Sequence, residues 1–129
     1  MEIISVAYII NNAKMLALKR SESKRSNPGK WHVLSGAVEN EETPLDCVLR
    51  EINEELGDDL CVDLVEESKY IDKQEGGSWE THLFVFEYKS GNILLNRENS
   101  AYLWVSKEEL LSMDIIPSIL EDLKSLRFI

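Results

Sequence analysis

Residues 36–58 read GAVENEETPLDCVLREINEELGD, a glycine-led loop that runs into an amphipathic segment. Thr43 is a suitable N-cap, Pro44 fits the first helical turn, and Asp46 puts a carboxylate near the positive end of a helix. Gly57 is a residue type that commonly ends helices. The sequence therefore predicts a helix that begins after Thr43 and stops at Gly57.

The side chains of this helix divide into two arcs at about 100° per residue. The apolar arc consists of Leu45, Val48, Leu49, Ile52 and Leu56. The adjacent arc carries Glu51, Glu54 and Glu55, which are surface neighbours at i, i+3 and i+4. We expect the apolar arc to face the core and the three carboxylates to converge beside it.

Three converging carboxylates have two interpretations. Like charges at this spacing destabilise a helix by roughly a few tenths of a kcal/mol, which favours a bound counter-ion. Mg²⁺ takes such oxygen ligands together with water and substrate phosphates. The alternative is an ordinary solvated acidic face, because Glu is a common exposed helix former and Arg50 is close by.

The wider spacing resembles the Nudix box, G-x5-E-x7-R-E-U-x-E-E-x-G-U, where U is a bulky aliphatic residue. The matching positions are Gly36, Glu42, Arg50, Glu51, Ile52, Glu54, Glu55 and Gly57. The last aliphatic position is Asp58, and Leu34-Ser35-Gly36 stands where many members have Pro-Gly-Gly. The second departure concerns the conformation of the loop rather than the metal ligands.

The resemblance implies a pyrophosphohydrolase that depends on Mg²⁺, with Mn²⁺ as a substitute. The main metal ligands would be box glutamates, namely Glu51, Glu54 and Glu55. The carbonyl of Gly36 would add a further ligand, and Arg50 would orient the glutamates by charge-assisted hydrogen bonds. Glu42 would anchor the loop through Arg50, and Gly57 would close it. For Glu42, a capping or surface carboxylate is the alternative.

The reaction that the resemblance implies is substitution by water at a phosphorus of a nucleoside diphosphate linked to another group. Metal ions neutralise phosphate charge and lower the pKa of bound water, and a carboxylate takes the proton of the water. A nucleoside triphosphate would give a monophosphate and pyrophosphate. A small nucleotide is therefore the expected partner.

The general base is less sharply defined, because family members use either a box glutamate or a downstream one. Glu98 lies six residues before Trp104, a spacing that looks like the downstream acidic position of smaller Nudix enzymes. A solvated loop glutamate is the alternative for Glu98. Glu75 and Glu80 are weaker candidates near a Gly-Gly turn.

Substrate recognition is expected from a basic loop and two tryptophans. The loop at 20–30 contributes Arg20, Lys24, Arg25 and Lys30 as candidate phosphate contacts. Trp31 and Trp79 are candidates for stacking on a base. For each of these residues, an ordinary surface or packing role is the alternative. His32 and His82 are expected to be structural, because the mechanism needs no histidine.

Two rival functions stay open. One is a dinucleoside polyphosphate or nucleotide-sugar hydrolase of the same class. The other is a non-catalytic Nudix module that binds nucleotide or protein, although such modules are expected to lose box glutamates that are all present here. A relative of the isopentenyl diphosphate isomerases is disfavoured, because the cysteines and histidines do not match.

Composition limits the other classes. The 129 residues suit one domain, expected over 1–129, and the net charge of −10 argues against coating a nucleic-acid polymer. No apolar run approaches a membrane span, and no signal peptide is visible, so a cytoplasmic protein is expected. Cys47 and Cys61 are expected to be reduced thiols. A monomer and a homodimer are both compatible with the sequence.

The rest of the chain predicts strands that outnumber helices. A hairpin is expected over 3–10 and 14–19, a short strand over 31–34 broken at Ser35-Gly36, and further strands near 60–71 and 79–88. A capping box at 106–109 follows a strand that ends at 105, and 117–126 is a closing helix. The predicted fold is an α/β (α+β) Nudix fold, a mixed sheet between helices in an α/β/α sandwich.

Overall fold

The computed structural model of the protein describes residues 2–74 and 77–129. The strands are β1 (Glu2–Asn11), β2 (Lys14–Arg20), β3 (Trp31–His32), β4 (Leu34–Ala37), β5 (Cys61–Gln74), β6 (Gly77–Ser90) and β7 (Asn99–Val105), and the helices are α1 (Pro44–Leu56), α2 (Lys107–Ser112) and α3 (Ser118–Ser125). Of the expected Gly-Gly turn and its neighbour Glu75, residues 75 and 76 lie outside the described chain.

The strands form one mixed sheet in the order β3-β2-β1-β6-β5, with β4 beside β1 and β7 beside β2. Strand β1 runs parallel to β6 and antiparallel to β2 and β4. Asn12 and Ala13 join β1 to β2 with φ of 50° and 66°. Positive φ at both residues is the geometry of a two-residue hairpin turn, which confirms the predicted hairpin.

Side chains of β1 alternate between two cores. Val6 and Tyr8 belong to a core that also contains residues of α2 and α3, whereas Ala7 and Ile9 belong to a core with α1. Alternation of this kind is the period of a strand buried on both faces. Helices therefore cover both faces of the sheet, and the predicted α/β/α sandwich is confirmed.

Helix α1 has the predicted ends. Thr43 Oγ1 accepts a hydrogen bond from the Asp46 N–H at 3.0 Å, and Asp46 closes a capping box on the Thr43 N–H. Gly57 follows the helix with a φ of +90°. One prediction is wrong: Leu49 is 45% exposed and does not enter the core. The apolar arc is wider than the contact with the sheet, so its edge faces solvent.

A second prediction is wrong at the start of the loop. Ser35 and Gly36 do not break a strand; they pair with Val6 and Ser5 inside β4. The interruption falls at Val33, between β3 and β4. The pairing with β1 supplies hydrogen bonds to a stretch that contains glycine, and local propensity does not predict such a long-range partner.

The other elements match their predicted positions within a few residues. Strands β5 and β6 extend beyond the predicted limits, and Ser106 caps α2 through a capping box with Glu109. Both cysteines are free; Cys47 is buried and Cys61 is exposed. Among the described residues, no helix has both the length and the apolarity needed to cross a membrane.

A buried carboxylate joins α3 to the sheet. The hydroxyls of Tyr8 and Tyr70 donate to the two oxygens of Asp122 at 2.9 and 2.6 Å. Asp122 is 2% exposed, and this burial raises the pKa of its carboxyl to about 6. Compared with the unfolded chain, the folded state therefore disfavours the ionised form of Asp122, even though two hydroxyls donate to its carboxylate.

The contribution of Asp122 to stability is expected to fall as the pH rises. Its folded pKa of about 6 lies above the ordinary value, so folding favours the protonated form. This stability is fully present below about pH 4 and is lost as the pH passes through 6, a change of about 3 kcal/mol. Urea unfolding of wild type and Asp122→Asn at pH 4 and 7 tests this. Between pH 4 and 7, the free energy of unfolding should fall less in Asp122→Asn than in wild type. An equal fall in both proteins would contradict the expectation.

Candidate functional site

Arg50 links the loop after β4 to helix α1. Its Nε and Nη2 donate to the Glu42 carboxylate at 2.8 and 3.1 Å, and its Nη1 donates to Glu51 Oε1 at 2.9 Å. The Arg50 guanidinium lowers the pKa of the Glu42 carboxyl to about 2. The Glu39 N–H also donates to Glu42, at 3.0 Å. Arg50 thus bonds to both Glu42 and Glu51, and Glu42 also bonds to the backbone of the loop.

Three carboxylates meet at the side of α1. One oxygen each from Glu51, Glu55 and Glu98 lies within 4.8 Å of the other two. Glu55 is 2% exposed, and its Oε2 has no hydrogen-bond partner among the described residues. Burial raises the pKa of Glu55 to about 8, and a hydrogen bond with Glu51 adds to the rise. The cluster is therefore electrostatically unfavourable when it is ionised and alone.

Strand β4 brings Gly36 against the same cluster. A Cβ placed on Gly36 would lie 2.5 Å from Cγ of Glu51 and 2.7 Å from its Oε1. Any larger residue would displace the Glu51 side chain. The glycine therefore allows this close approach of backbone and carboxylate.

Glu54 takes a different direction from the other box glutamates. Its side chain is 53% exposed and faces Arg50 at 3.4 Å, outside the three-carboxylate cluster. Its role as a metal ligand stays a prediction. Among the weaker candidate bases, Glu80 bonds to His82 at 2.8 Å, and Glu75 lies outside the described residues.

The residues expected to read the substrate are scattered. Arg20, the last residue of β2, donates hydrogen bonds to Ser26 in the loop that follows, at 2.9 and 3.1 Å, and Lys30 pairs with Asp114 at 2.8 Å. Arg25 is exposed. Trp31 packs against the core that contains α3. Trp79 lines a cavity that does not include the other four of these positions among its described lining residues, so the structure does not bring the five together.

The cavity beside Trp79 has a volume of about 230 Å³. It lies on the α3 side of the sheet, with Ile119 and Tyr70 in its apolar wall and Asp72, Asp122 and Ser118 as polar groups. Ser35 also lines it and is adjacent to Gly36 in β4. Strand β4 therefore borders both sites, the cavity at Ser35 and the carboxylate cluster at Gly36.

Sequence reasoning missed the asparagine that contacts the cluster. Asn99 is buried at the start of β7, and its Nδ2 donates to Glu55 Oε1 at 2.8 Å. The only available signal was its position directly after Glu98. Asp122 in the cavity was missed as well, because its spacing in α3 resembles that of any amphipathic helix.

The donor set fits a hard divalent cation. Carboxylate oxygens are the ligands that Mg²⁺ prefers, and three of them converge here from two separate segments. The buried, unpartnered Oε2 of Glu55 is the orphan atom that such an ion would satisfy. A cation would also offset the cost of burying an ionised Glu55 carboxylate and its smaller repulsion from Glu98 and Glu51, which together raise the pKa of Glu55.

A family model for the NUDIX domain matches residues 1–123. The nucleoside triphosphatase NudI of Escherichia coli O139:H28 is 29% identical to the chain, and the match covers 83% of each sequence.

Two solved structures extend the comparison. The MutT protein from Methanosarcina mazei Go1 superposes with a TM-score of 0.74 at 30% identity, over 94% of this chain and 88% of that one. An Ap4A hydrolase from C. elegans gives the same TM-score of 0.74 at 15% identity, over 98% and 96% of the two chains. The second likeness concerns the fold alone.

Proposed function

This chain belongs to the Nudix family of pyrophosphohydrolases, and from that membership we propose that it hydrolyses nucleoside triphosphates to monophosphate and pyrophosphate with Mg²⁺. The observation that carries the proposal is the convergence of Glu51, Glu55 and Glu98 within 4.8 Å around an unpartnered carboxylate oxygen. This arrangement is unfavourable without a cation, so it supports a metal-dependent activity.

The residues that would hold the cation come from α1 and from the segment before β7. Glu51, Glu55 and Glu98 offer carboxylate oxygens, and Glu54 and the Gly36 carbonyl are further candidates. When bound, a divalent cation neutralises phosphate charge and lowers the pKa of water. Mn²⁺ would replace Mg²⁺, because both take oxygen ligands.

Two residues prepare the carboxylates for this role. Arg50 holds Glu51 at 2.9 Å and Glu42 at 2.8 Å by charge-assisted bonds. Gly57 ends α1 directly after Leu56, and its N–H donates to the Asn53 carbonyl at 3.1 Å. The loops on both ends of α1 are thereby fixed.

Glu98 is our candidate for the general base. Its side chain is 46% exposed, so water can reach it, whereas Glu55 is only 2% exposed. The oxygen of water would bond to phosphorus, the bond from that phosphorus to the leaving pyrophosphate would break, and Glu98 would take the proton. Lys24, 3.8 Å from Glu98, lies where it can stabilise phosphate charge.

The cavity beside Trp79 supports a mononucleotide substrate. Its volume of about 230 Å³ lies below the ~300–1,000 Å³ that drug-sized ligands occupy, which suits one nucleobase. Trp79 offers an aromatic face and Asp72 and Asp122 offer acceptors. The relative named as a nucleoside triphosphatase favours the same substrate class. A dinucleoside polyphosphate or nucleotide sugar is the alternative.

The cellular setting and assembly follow from the same proposal. We place the enzyme in the cytoplasm, where its nucleotide substrates are free and where the thiols of Cys47 and Cys61 stay reduced. It would act as a monomer or a homodimer.

The substrate class is tested with a panel of nucleotides. We expect pyrophosphate and a nucleoside monophosphate from at least one triphosphate in the presence of Mg²⁺ or Mn²⁺, and no turnover with EDTA. Products separated by ion-exchange chromatography identify the bond that breaks. Release of phosphate alone, or turnover restricted to dinucleoside polyphosphates or nucleotide sugars, would replace the proposed substrate. No turnover of any nucleotide would favour a binding module.

A further inference from the structure

Glu98 lies between two asparagines that both reach helix α1. Asn96 Nδ2 donates to the Glu54 carbonyl at 3.0 Å, and Asn99 Nδ2 donates to Glu55 Oε1 at 2.8 Å. The bonded residues are 42 and 44 positions apart along the chain, so the fold alone brings them together. The segment that carries Glu98 is therefore attached to α1 on both sides of that residue.

The backbone of Glu98 is bonded at both of its polar groups. Its N–H donates to Asn96 Oδ1 at 2.9 Å, and its carbonyl accepts from the Ser21 N–H at 3.0 Å. Ser21 Oγ also donates to the Arg97 carbonyl at 2.6 Å. The Glu98 carboxylate nevertheless remains exposed. A fixed backbone under an exposed carboxylate is what a preorganised site requires, whereas a solvated loop glutamate needs no such attachment.

His32 decides which end of the Asn99 amide faces α1. Both residues are 3% exposed, and His32 Nε2 lies 2.8 Å from Asn99 Oδ1. Because the amide nitrogen donates to Glu55, the amide oxygen must accept, so Nε2 of His32 carries the hydrogen. When Glu55 is ionised, as a cation ligand must be, a reversed amide would oppose two acceptors at Glu55 Oε1 in a buried environment, which is costly.

We propose that Asn96 and Asn99 form an asparagine clamp, oriented by His32, that holds Glu98 and Glu55 at the separation a divalent cation needs. The inference rests on the proposed metal-dependent hydrolysis and adds positioning residues outside the segment 36–58. Removing partners that orient metal ligands commonly costs about 10- to 100-fold in metal affinity or activity. A purely structural role would lower stability and leave the metal affinity of the folded protein unchanged.

Mn²⁺ binding, followed by electron paramagnetic resonance without nucleotide, is the first test. Asn99→Leu keeps the size of the side chain and removes both amide bonds, so we expect the Kd for Mn²⁺ to rise about tenfold or more. Asn53→Ala is the control, because Asn53 is an exposed asparagine of α1, the helix that carries Glu55. An unchanged Kd in folded Asn99→Leu overturns the proposal, and so does a wild type that binds no Mn²⁺.

Two variants of His32 test how Asn99 is oriented. Gln offers an amide donor near the position of Nε2, whereas Leu offers none. We therefore expect His32→Leu to weaken Mn²⁺ binding and His32→Gln to restore it to near the wild-type value. Equal losses in both variants would show that His32 acts only through packing and would overturn its role.

A double-mutant cycle tests whether Asn96 acts through Glu98. Asn96 lies near the surface, so Asn96→Ala should fold even if Asn99→Leu does not. We expect Asn96→Ala to lower kcat about tenfold relative to wild type. When Asn96→Ala is added to Glu98→Gln, we expect kcat to fall less than about twofold relative to Glu98→Gln alone. Additive losses would overturn the proposal.

The outcomes separate the clamp from the proposed function. If the wild type binds Mn²⁺, Asn99→Leu weakens that binding and no nucleotide is hydrolysed, the proposed function fails and the clamp is supported. If nucleotides are hydrolysed and the Kd values for Mn²⁺ are equal, the clamp fails and the proposed function stands.

Discussion

Glu55→Gln is expected to lower kcat for nucleotide hydrolysis by about a thousandfold while the protein stays folded. Glu55 contributes one of three converging carboxylates, and its Oε2 is the buried oxygen without a partner. Losing about 4 kcal/mol of the charge stabilisation that a well-held cation supplies corresponds to that factor. Steady-state kinetics at saturating Mg²⁺ measure the loss.

Stability provides the matched readout for Glu55→Gln. Burial disfavours the ionised carboxyl, so the neutral amide should make metal-free protein at least as stable at pH 8. The amide oxygen still accepts from Asn99, which preserves the local bond. Glu66→Gln, at an exposed glutamate of β5, should change neither kcat nor stability. A nearly normal kcat in Glu55→Gln would remove Glu55 from the metal site.

Gly36→Ala is expected to lower kcat by about a hundredfold. A Cβ at this position would lie 2.5 Å from Cγ and 2.6 Å from Cδ of Glu51, so the carboxylate has to move. A displacement of about 1 Å in a catalytic group commonly costs about a hundredfold. Weaker Mn²⁺ binding should accompany the loss, because Glu51 is a proposed ligand.

Gly77→Ala is the matched control for Gly36→Ala. A Cβ on Gly77 meets no atom within 4 Å, and the residue lies at the beginning of β6, away from α1. We expect kcat and Mn²⁺ affinity within about twofold of wild type. If Gly36→Ala behaves like this control, the position of Glu51 does not limit the reaction.

Local structure was predictable where neighbouring residues determine it. Thr43, Asp46 and Gly57 mark the ends of α1 by contacts within a few residues, and Asn12 with Ala13 forms the hairpin turn by its own backbone geometry. The failures at Leu49 and at Ser35-Gly36 have one cause. Each depends on a packing or pairing partner far away in the chain, which local pattern does not contain.

The separation of the box glutamates shows the same limit at the site. At about 100° per residue, Glu55 lies roughly 40° from Glu51 around the helix, while Glu54 lies roughly 60° away on the other side. The helical pattern thus allowed all three to converge. Only the packing of α1 against β4 and the segment around Glu98 determined that Glu51 and Glu55 join the cluster while Glu54 faces Arg50.

The sequence by itself determined the family, the capped helix and the acidic chemistry of the site, because these depend on residue types at short, fixed spacings. The tertiary structure alone decided that Glu98 meets Glu51 and Glu55, that Asn96 and Asn99 bond to α1 and His32 to Asn99, and that β4 borders a cavity beside Trp79. Those contacts join residues more than 40 positions apart. Such residues come together only when both faces of the sheet are packed, and that is a property of the whole chain.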